Sequence, residues 1–285
     1  MSQSTLRIAS CQFPVTSEIK KNASYIRRFM KKAATEGAHL LHSSEACLSG
    51  YGMVDFPNFK NFDWSLLRDE TARLQAYAKE LGIWLILGSS HYLDKKVAPT
   101  NCLYIINPKG EIVDRYDKCM LTVRDQKCYT AGNRLVTRRI NGLNLGFAIC
   151  YDSCYPQIYA AYREKKVDLM LHSFYNAGAL GETCLCELTK AQIPTRCADN
   201  VLWAVANNST RRYSAWGSFV ARPDATIAKQ LPRHRAGMLL HDFPDTLPEN
   251  GWIHNAEPLK LAKNQKMQLG KSSTHPRQVD TKSKA

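Results

Sequence analysis

The sequence predicts an α/β layered domain built on mixed β-sheet. Two observations carry this. Helical periodicity alternates with short apolar runs in both halves of the chain, and each half also contains a turn signal between two apolar runs. Helical crossovers join parallel strands and tight turns join antiparallel ones, so the combination implies a mixed sheet.

Leu6–Cys11 (LRIASC) is a short buried strand, followed by a break at Pro14. From Ile19 to Glu36, Ile19, Ala23, Ile26, Met30 and Ala33 recur at helical spacing with basic residues opposite, and Gly37 marks the stop. AHLLHSSEA is an apolar strand ending in polar residues, with a loop from Gly50. A second helix covers Ser65–Leu81 up to Gly82, and the strand IWLILGSS follows. Asn107-Pro108-Lys109-Gly110 and Asn141-Gly142 each predict a hairpin. A loop spans Asp117–Arg134. Helices near Pro156–Lys165 and Glu182–Ala198 precede the strands VDLMLHS and VLWAVAN. Short strands at Gly217–Ala221, Ile227 and Gly237–His241 complete the core. This divides the chain into a domain over residues 1–256 and a polar, basic extension over 257–285.

Composition narrows the function classes. With 44% hydrophobic and 22% charged residues among 285, collagen-like and wholly disordered chains are excluded. No run of about 18 apolar residues predicts a membrane span, and Met1–Ala9 lacks the pattern of a secretory leader. The expectation is a cytoplasmic protein with no membrane partner. The net charge of +14 is concentrated partly in the segment 258–285, which holds seven Lys/Arg and one acid, Asp280. There is no RNA-recognition signature, zinc-finger spacing or basic heptad array, so no specific nucleic-acid partner is expected. Ten cysteines in a chain this long, without an export signal, point to reduced thiols. Neither Cys184-x-Cys186 nor Cys150-x3-Cys154 is followed by the second pair of a zinc site.

Three chemistry-bearing residues fall at strand ends. Glu45 closes AHLLHSSE, Lys118 follows EIVDRY, and Cys150 follows LNLGFAI. A thiol becomes nucleophilic once deprotonated, a carboxylate can take its proton, and a lysine can hold a developing oxyanion. Residue type alone also fits a buried core cysteine and two solvated charges. It also fits a Cys-His enzyme using His42 or His172, or a binding protein without activity. Spacing does not join the three residues, so this reading ends at a thiol hydrolase.

The segments SEACLSGY (Ser44–Tyr51), RYDKCML (Arg115–Leu121) and GFAICYDSCYP (Gly146–Pro156) resemble the nitrilase superfamily of carbon–nitrogen hydrolases. LRIASCQFPV, NPKGEIVDRY, VLWAVANNS and GSFVARPDATI extend the resemblance, in order, over about residues 5–242. It implies an αββα four-layer sandwich, mixed β-sheets flanked by helices. It further implies a hydrolase that cleaves a non-peptide carbon–nitrogen bond through a thioester and needs no metal or organic cofactor, amidase-type by default, with an N-carbamoyl-amine or amino-acid amidohydrolase or a nitrilase using the same site as alternatives. Carried onto this chain, Cys150 is the nucleophile, Glu45 the general base and later acid, and Lys118 the stabiliser of the tetrahedral intermediate. The backbone N–H of Tyr151 completes the oxyanion hole. Where the family often has a second glutamate, this chain has Asp125, one methylene shorter and expected to contribute less. Tyr51, Tyr151, Tyr175 and Asn176 are expected pocket residues. Ser153 and Cys154 stand where carbamoyl-amino-acid hydrolases commonly have arginine, leaving Arg211 or Arg212 as candidates for a substrate carboxylate. Family practice also implies a homodimer or larger even oligomer. Tyr159, Tyr162, Leu185 and Leu188 are candidates for its interface.

Overall fold

The computed structural model describes residues 5–92, 94, 97–177 and 185–244. The predicted boundary at residue 256 and the basic extension lie outside them.

Two six-stranded sheets form the centre. The first has the order β12-β1-β2-β3-β4-β5, with β1 (Leu6–Gln12), β2 (Leu40–His42), β3 (Trp84–His91), β4 (Thr100–Ile106), β5 (Ile112–Asp117) and β12 (Gly237–Phe243). The second has the order β11-β10-β9-β8-β7-β6, with β6 (Thr137–Ile140), β7 (Leu143–Ile149), β8 (Leu169–Ser173), β9 (Trp203–Asn207), β10 (Phe219–Ala221) and β11 (Ile227–Gln230). In each sheet three central strands run parallel and the outer pairs are antiparallel. Both predicted hairpins form, as β4–β5 and β6–β7.

Side-chain alternation builds the layers. On β1, Leu6 and Ile8 enter a core shared with Leu145, Phe147 and Ile149 of β7 and Leu169 and Leu171 of β8. That core lies between the two sheets. Ala9 and Cys11, pointing the other way, pack with Ile19, Ala23, Ile26, Met30 and Ala33 of α1 (Ile19–Thr35) and Leu67, Leu74 and Ala78 of α2 (Trp64–Leu81). The other face of the second sheet, Ala148, Met170, Ala204 and Ala206, takes α3 (Pro156–Glu164) and α4 (Leu185–Asn200). The predicted α1 stripe is therefore the one buried. Each such Ile or Met contributes about 1.5–3 kcal/mol on burial. The result is the four-layer αββα arrangement.

Two expectations are corrected. Tyr159 and Tyr162 are fully buried against their own sheet and cannot form an interface. Leu188 is 38% exposed, and the Leu185 side chain lies outside the described part. AHLLHSSEA is also not one long strand. Pairing stops at His42, and residues 43–49 turn over Ile86–Gly88 within β3.

Candidate active site

The turn after β2 delivers Glu45, and it requires a glycine beneath it. A Cβ on Gly88 of β3 would sit 1.9 Å from the Ser44 carbonyl oxygen, so only glycine lets this backbone cross. Ser43 Oγ donates to the Ile86 carbonyl and accepts from the Gly88 N–H, pinning the crossing. Lys118 lies just past β5. Its N–H donates to the Asn101 carbonyl, and its own carbonyl accepts from the Gly132 N–H. Gly132 is also needed, because a Cβ there would come 2.2 Å from the Asp117 carbonyl oxygen. The long loop thus folds back tightly on the lysine and carries a 3-10 turn over Asp125–Lys127.

These pieces bring three charges together out of water. Lys118 Nζ donates to Glu45 Oε1 at 2.8 Å and to Asp125 Oδ2 at 2.8 Å, all three side chains being inaccessible. Its third donor reaches Tyr51 Oη at 3.4 Å. Tyr51 Oη donates in turn to Asp125 Oδ1. Asp125 Oδ2 also accepts from the Thr122 N–H at 3.0 Å. The shorter acid therefore does reach the lysine, because its loop carries it there. Asn101 Nδ2 donates to Glu45 Oε1 at 2.8 Å, while Glu45 Oε2 is buried with no hydrogen-bond partner.

The electrostatics follow from this geometry. Burial raises the Glu45 pKa, opposed by the lysine beside it. Asp125 falls below the ordinary carboxylate range. Burial works against that shift but is outweighed by Lys118, Tyr51 and Thr122. The two carboxylates hold Lys118 firmly protonated despite its burial.

Cys150 follows β7 with φ +44°, the left-handed region that a residue with a Cβ enters only at a cost. Asp152 fixes this bend. Its carboxylate is buried and accepts from the Ile149 N–H (2.8 Å), the Met120 N–H (2.8 Å) and Tyr116 Oη (2.7 Å), tying the cysteine turn to the segment after Lys118. Burial and the neighbouring Glu45 push the Cys150 thiol well above its ordinary pKa, so it rests as a thiol. Its Sγ donates to Asn176 Oδ1 at 3.4 Å.

The remaining predicted residues divide. Tyr51 and Asn176 contact the charged cluster and the thiol respectively. Tyr175 packs against Tyr51 with ring centroids 5.0 Å apart and the rings tilted by 32°, but its hydroxyl donates to Asp55 at 2.9 Å. Tyr151 is half-buried and packs edge-on to Tyr155. Arg211 is bound to Asp55 and Tyr175. His42 bonds Ser173, and His172 bonds Tyr159 and the Cys150 carbonyl. Both rings are buried and pushed down to about pKa 3, so neither is the base of a Cys-His pair. Asn101, Asp152 and Asp55 escaped the sequence reading. Asp152 sits inside the quoted CYD motif, whereas Asn101 and Asp55 left no local signal.

The carbon-nitrogen hydrolase family profile matches residues 7–247. The chain belongs to the carbon-nitrogen hydrolase family. An omega-amidase of Homo sapiens is 25% identical over 233 residues, 77% of this chain and 82% of that protein. A deaminated glutathione amidase of Dictyostelium discoideum is 26% identical over 273 residues, 87% of this chain and 86% of that one. Among solved structures, an amidase from Nesterenkonia sp. superposes with TM-score 0.75 at 20% identity, covering 93% of this chain and 97% of that one. A mutant of the Nesterenkonia sp. AN1 amidase was solved with butyramide, and another carries the acetamide moiety of fluoroacetamide on its active-site cysteine. No helix among the described residues is long and apolar enough to cross a membrane.

Proposed function

We propose that this hydrolase converts a small amide to a carboxylate and ammonia through a thioester on Cys150. The observation carrying this is the buried Glu45–Lys118–Asp125 cluster, in which Glu45 keeps one oxygen free beside a strained, protonated cysteine. Glu45 takes the thiol proton through Oε2 as Sγ attacks the amide carbon. Lys118, turning its long third donor from Tyr51, and the Tyr151 N–H receive the oxyanion. The intermediate collapses to the thioester as Glu45 protonates departing ammonia. Glu45 then deprotonates the water that releases the acid. Amidase names among the relatives, and small amides in the neighbouring structures, favour amides over nitriles. The setting proposed with it is cytoplasmic and reducing, where the cysteines of this chain would remain thiols.

Ammonia release from a panel of amides, N-carbamoyl compounds and nitriles, with Cys150→Ala as blank, tests the reading. Release from none of the amides would defeat it. The pH profile adds a sign. Glu45 acts as base only when ionised, and its pKa is raised. Activity should therefore rise with pH through a midpoint above the ordinary glutamate value of about 4.3. A midpoint at or below that value would exclude Glu45 as the base.

The assembly proposal is a homodimer or larger even oligomer, with its interface away from Tyr159 and Tyr162. Light scattering at micromolar concentration should give at least twice the 32.2 kDa chain mass. A stable monomer would refute it.

A further inference from the structure

We propose that His172 is a positioning residue that orients and strengthens the Tyr151 N–H by holding the carbonyl of the same peptide unit. The inference rests on the thioester reading above, in which that N–H meets the oxyanion.

His172 interrupts the apolar strand LMLHS and is completely buried. Its Nε2 lies 3.2 Å from the Cys150 carbonyl oxygen and its Nδ1 lies 2.7 Å from Tyr159 Oη. A carbonyl can only accept, so Nε2 carries the hydrogen. In a neutral ring Nδ1 is then the acceptor, and the Tyr159 hydroxyl donates to it. Phe174 stacks on the imidazole with centroids 4.2 Å apart, which fixes the ring plane. Burial keeps the ring neutral at working pH, so this one tautomer persists.

The Cys150–Tyr151 bond is not among the cis peptides of the chain. In a planar trans peptide the C=O and N–H point in opposite directions. A donor fixed on the Cys150 oxygen therefore sets the direction of the Tyr151 N–H. It also withdraws charge through the amide and makes that N–H a better donor, as in any chain of hydrogen bonds. The relay runs from the Tyr159 hydroxyl through the imidazole to the Cys150 carbonyl and ends at the oxyanion. The backbone one peptide further back, Ala148–Ile149, is held separately, through the Ile149 N–H that donates to Asp152. Backbone on both sides of the strained residue is thus clamped by side chains.

A histidine that merely fills the core would affect stability alone, so the test reads catalysis. The probes are butyramide as substrate, or the best amide of the panel, and butyraldehyde as inhibitor. Sγ adds to the aldehyde carbon as its C=O π bond opens, and the thiol proton passes to Glu45, leaving an oxyanion where the tetrahedral intermediate would have one. His172→Leu is expected to lower kcat about tenfold with KM changed less than about twofold, below the 10²–10³ seen when an oxyanion donor is removed outright. The butyraldehyde inhibition constant should rise by a similar factor. His172→Gln, whose amide N–H can stand where Nε2–H stood, should recover most of both. Tyr159→Phe releases the tautomer and should cost about threefold in kcat. Wild-type kcat in both His172→Leu and Tyr159→Phe overturns the proposal. So does a loss confined to KM, or one that His172→Gln does not relieve. If melting shows that His172→Leu does not fold, Tyr159→Phe decides, and unchanged kcat and butyraldehyde affinity overturn the proposal. A wild type that hydrolyses no amide sinks the amidase reading instead, and butyraldehyde affinity across the same variants then decides for His172.

Discussion

Cys150→Ala is expected to abolish amide turnover, by at least about 10⁴-fold, the scale on which covalent catalysis disappears with its nucleophile. The fold should survive. Alanine keeps the Cβ, so the backbone strain at φ +44° is unchanged, and what is lost is the long Sγ contact to Asn176 and the packing of one partly buried sulfur. The wild type should also show a mass increment on Cys150 when trapped with a slow amide or alkylated by acrylamide. Five of the eight described cysteines are buried, leaving Cys119 and Cys154 as partly accessible competitors. Both lie beside site segments, so the peptide map discriminates. A label on Cys154 or Cys119 with Cys150 untouched would reject the assignment, as would a Cys150→Ala protein that still turns over.

Much of the architecture was legible because it rests on local chemistry. The α1 stripe, the glycines after α1 and α2 and the two turn signals each act within a few residues. The candidate site was proposed from resemblance alone. Glu45 and Lys118 are 73 residues apart in sequence, and no periodicity announces that they share a hydrogen bond. What neither route exposed depends on backbone crossing backbone. The strand expected through Glu45 ends early because Gly88, on another strand, leaves room for the turn. Asp125, judged short by side-chain length, reaches Lys118 because Gly132 lets the loop close on Asp117. The Tyr159 and Tyr162 misreading has the same source. Helical spacing placed them on α3, but a three-dimensional neighbour, the second sheet, claimed that face.

Lys118→Met should be the most damaging change that leaves the thiol in place, because the lysine serves two carboxylates at once. Without its charge, Glu45 and Asp125 remain buried near one another, each having lost a 2.8 Å ion pair. Removing one partner of a buried pair costs about 3–5 kcal/mol. Part of this is relieved when a carboxyl takes up a proton, and Glu45 is the one to do so. Its pKa already stands above the ordinary value, whereas Asp125 is held low by Tyr51 and Thr122 as well as by the lysine. A protonated Glu45 cannot accept from Cys150. On the proposed mechanism, Lys118→Met removes the oxyanion's cation and silences the base, and turnover should fall by more than the ~10² expected for either role alone. Two signs mark this mechanism. The acid limb of the pH profile should move to higher pH, since Glu45 now ionises later. The loss of stability should be largest at high pH and shrink as pH falls and the orphaned carboxyls protonate. Asp125→Ala provides the graded comparison. It removes one ion pair and leaves Glu45 with its lysine, so it should cost less activity than Glu45→Gln. Equal losses for Asp125→Ala and Glu45→Gln would promote Asp125 to a direct role in proton transfer. An unmoved acid limb in Lys118→Met would separate the lysine from the base and leave it the oxyanion alone.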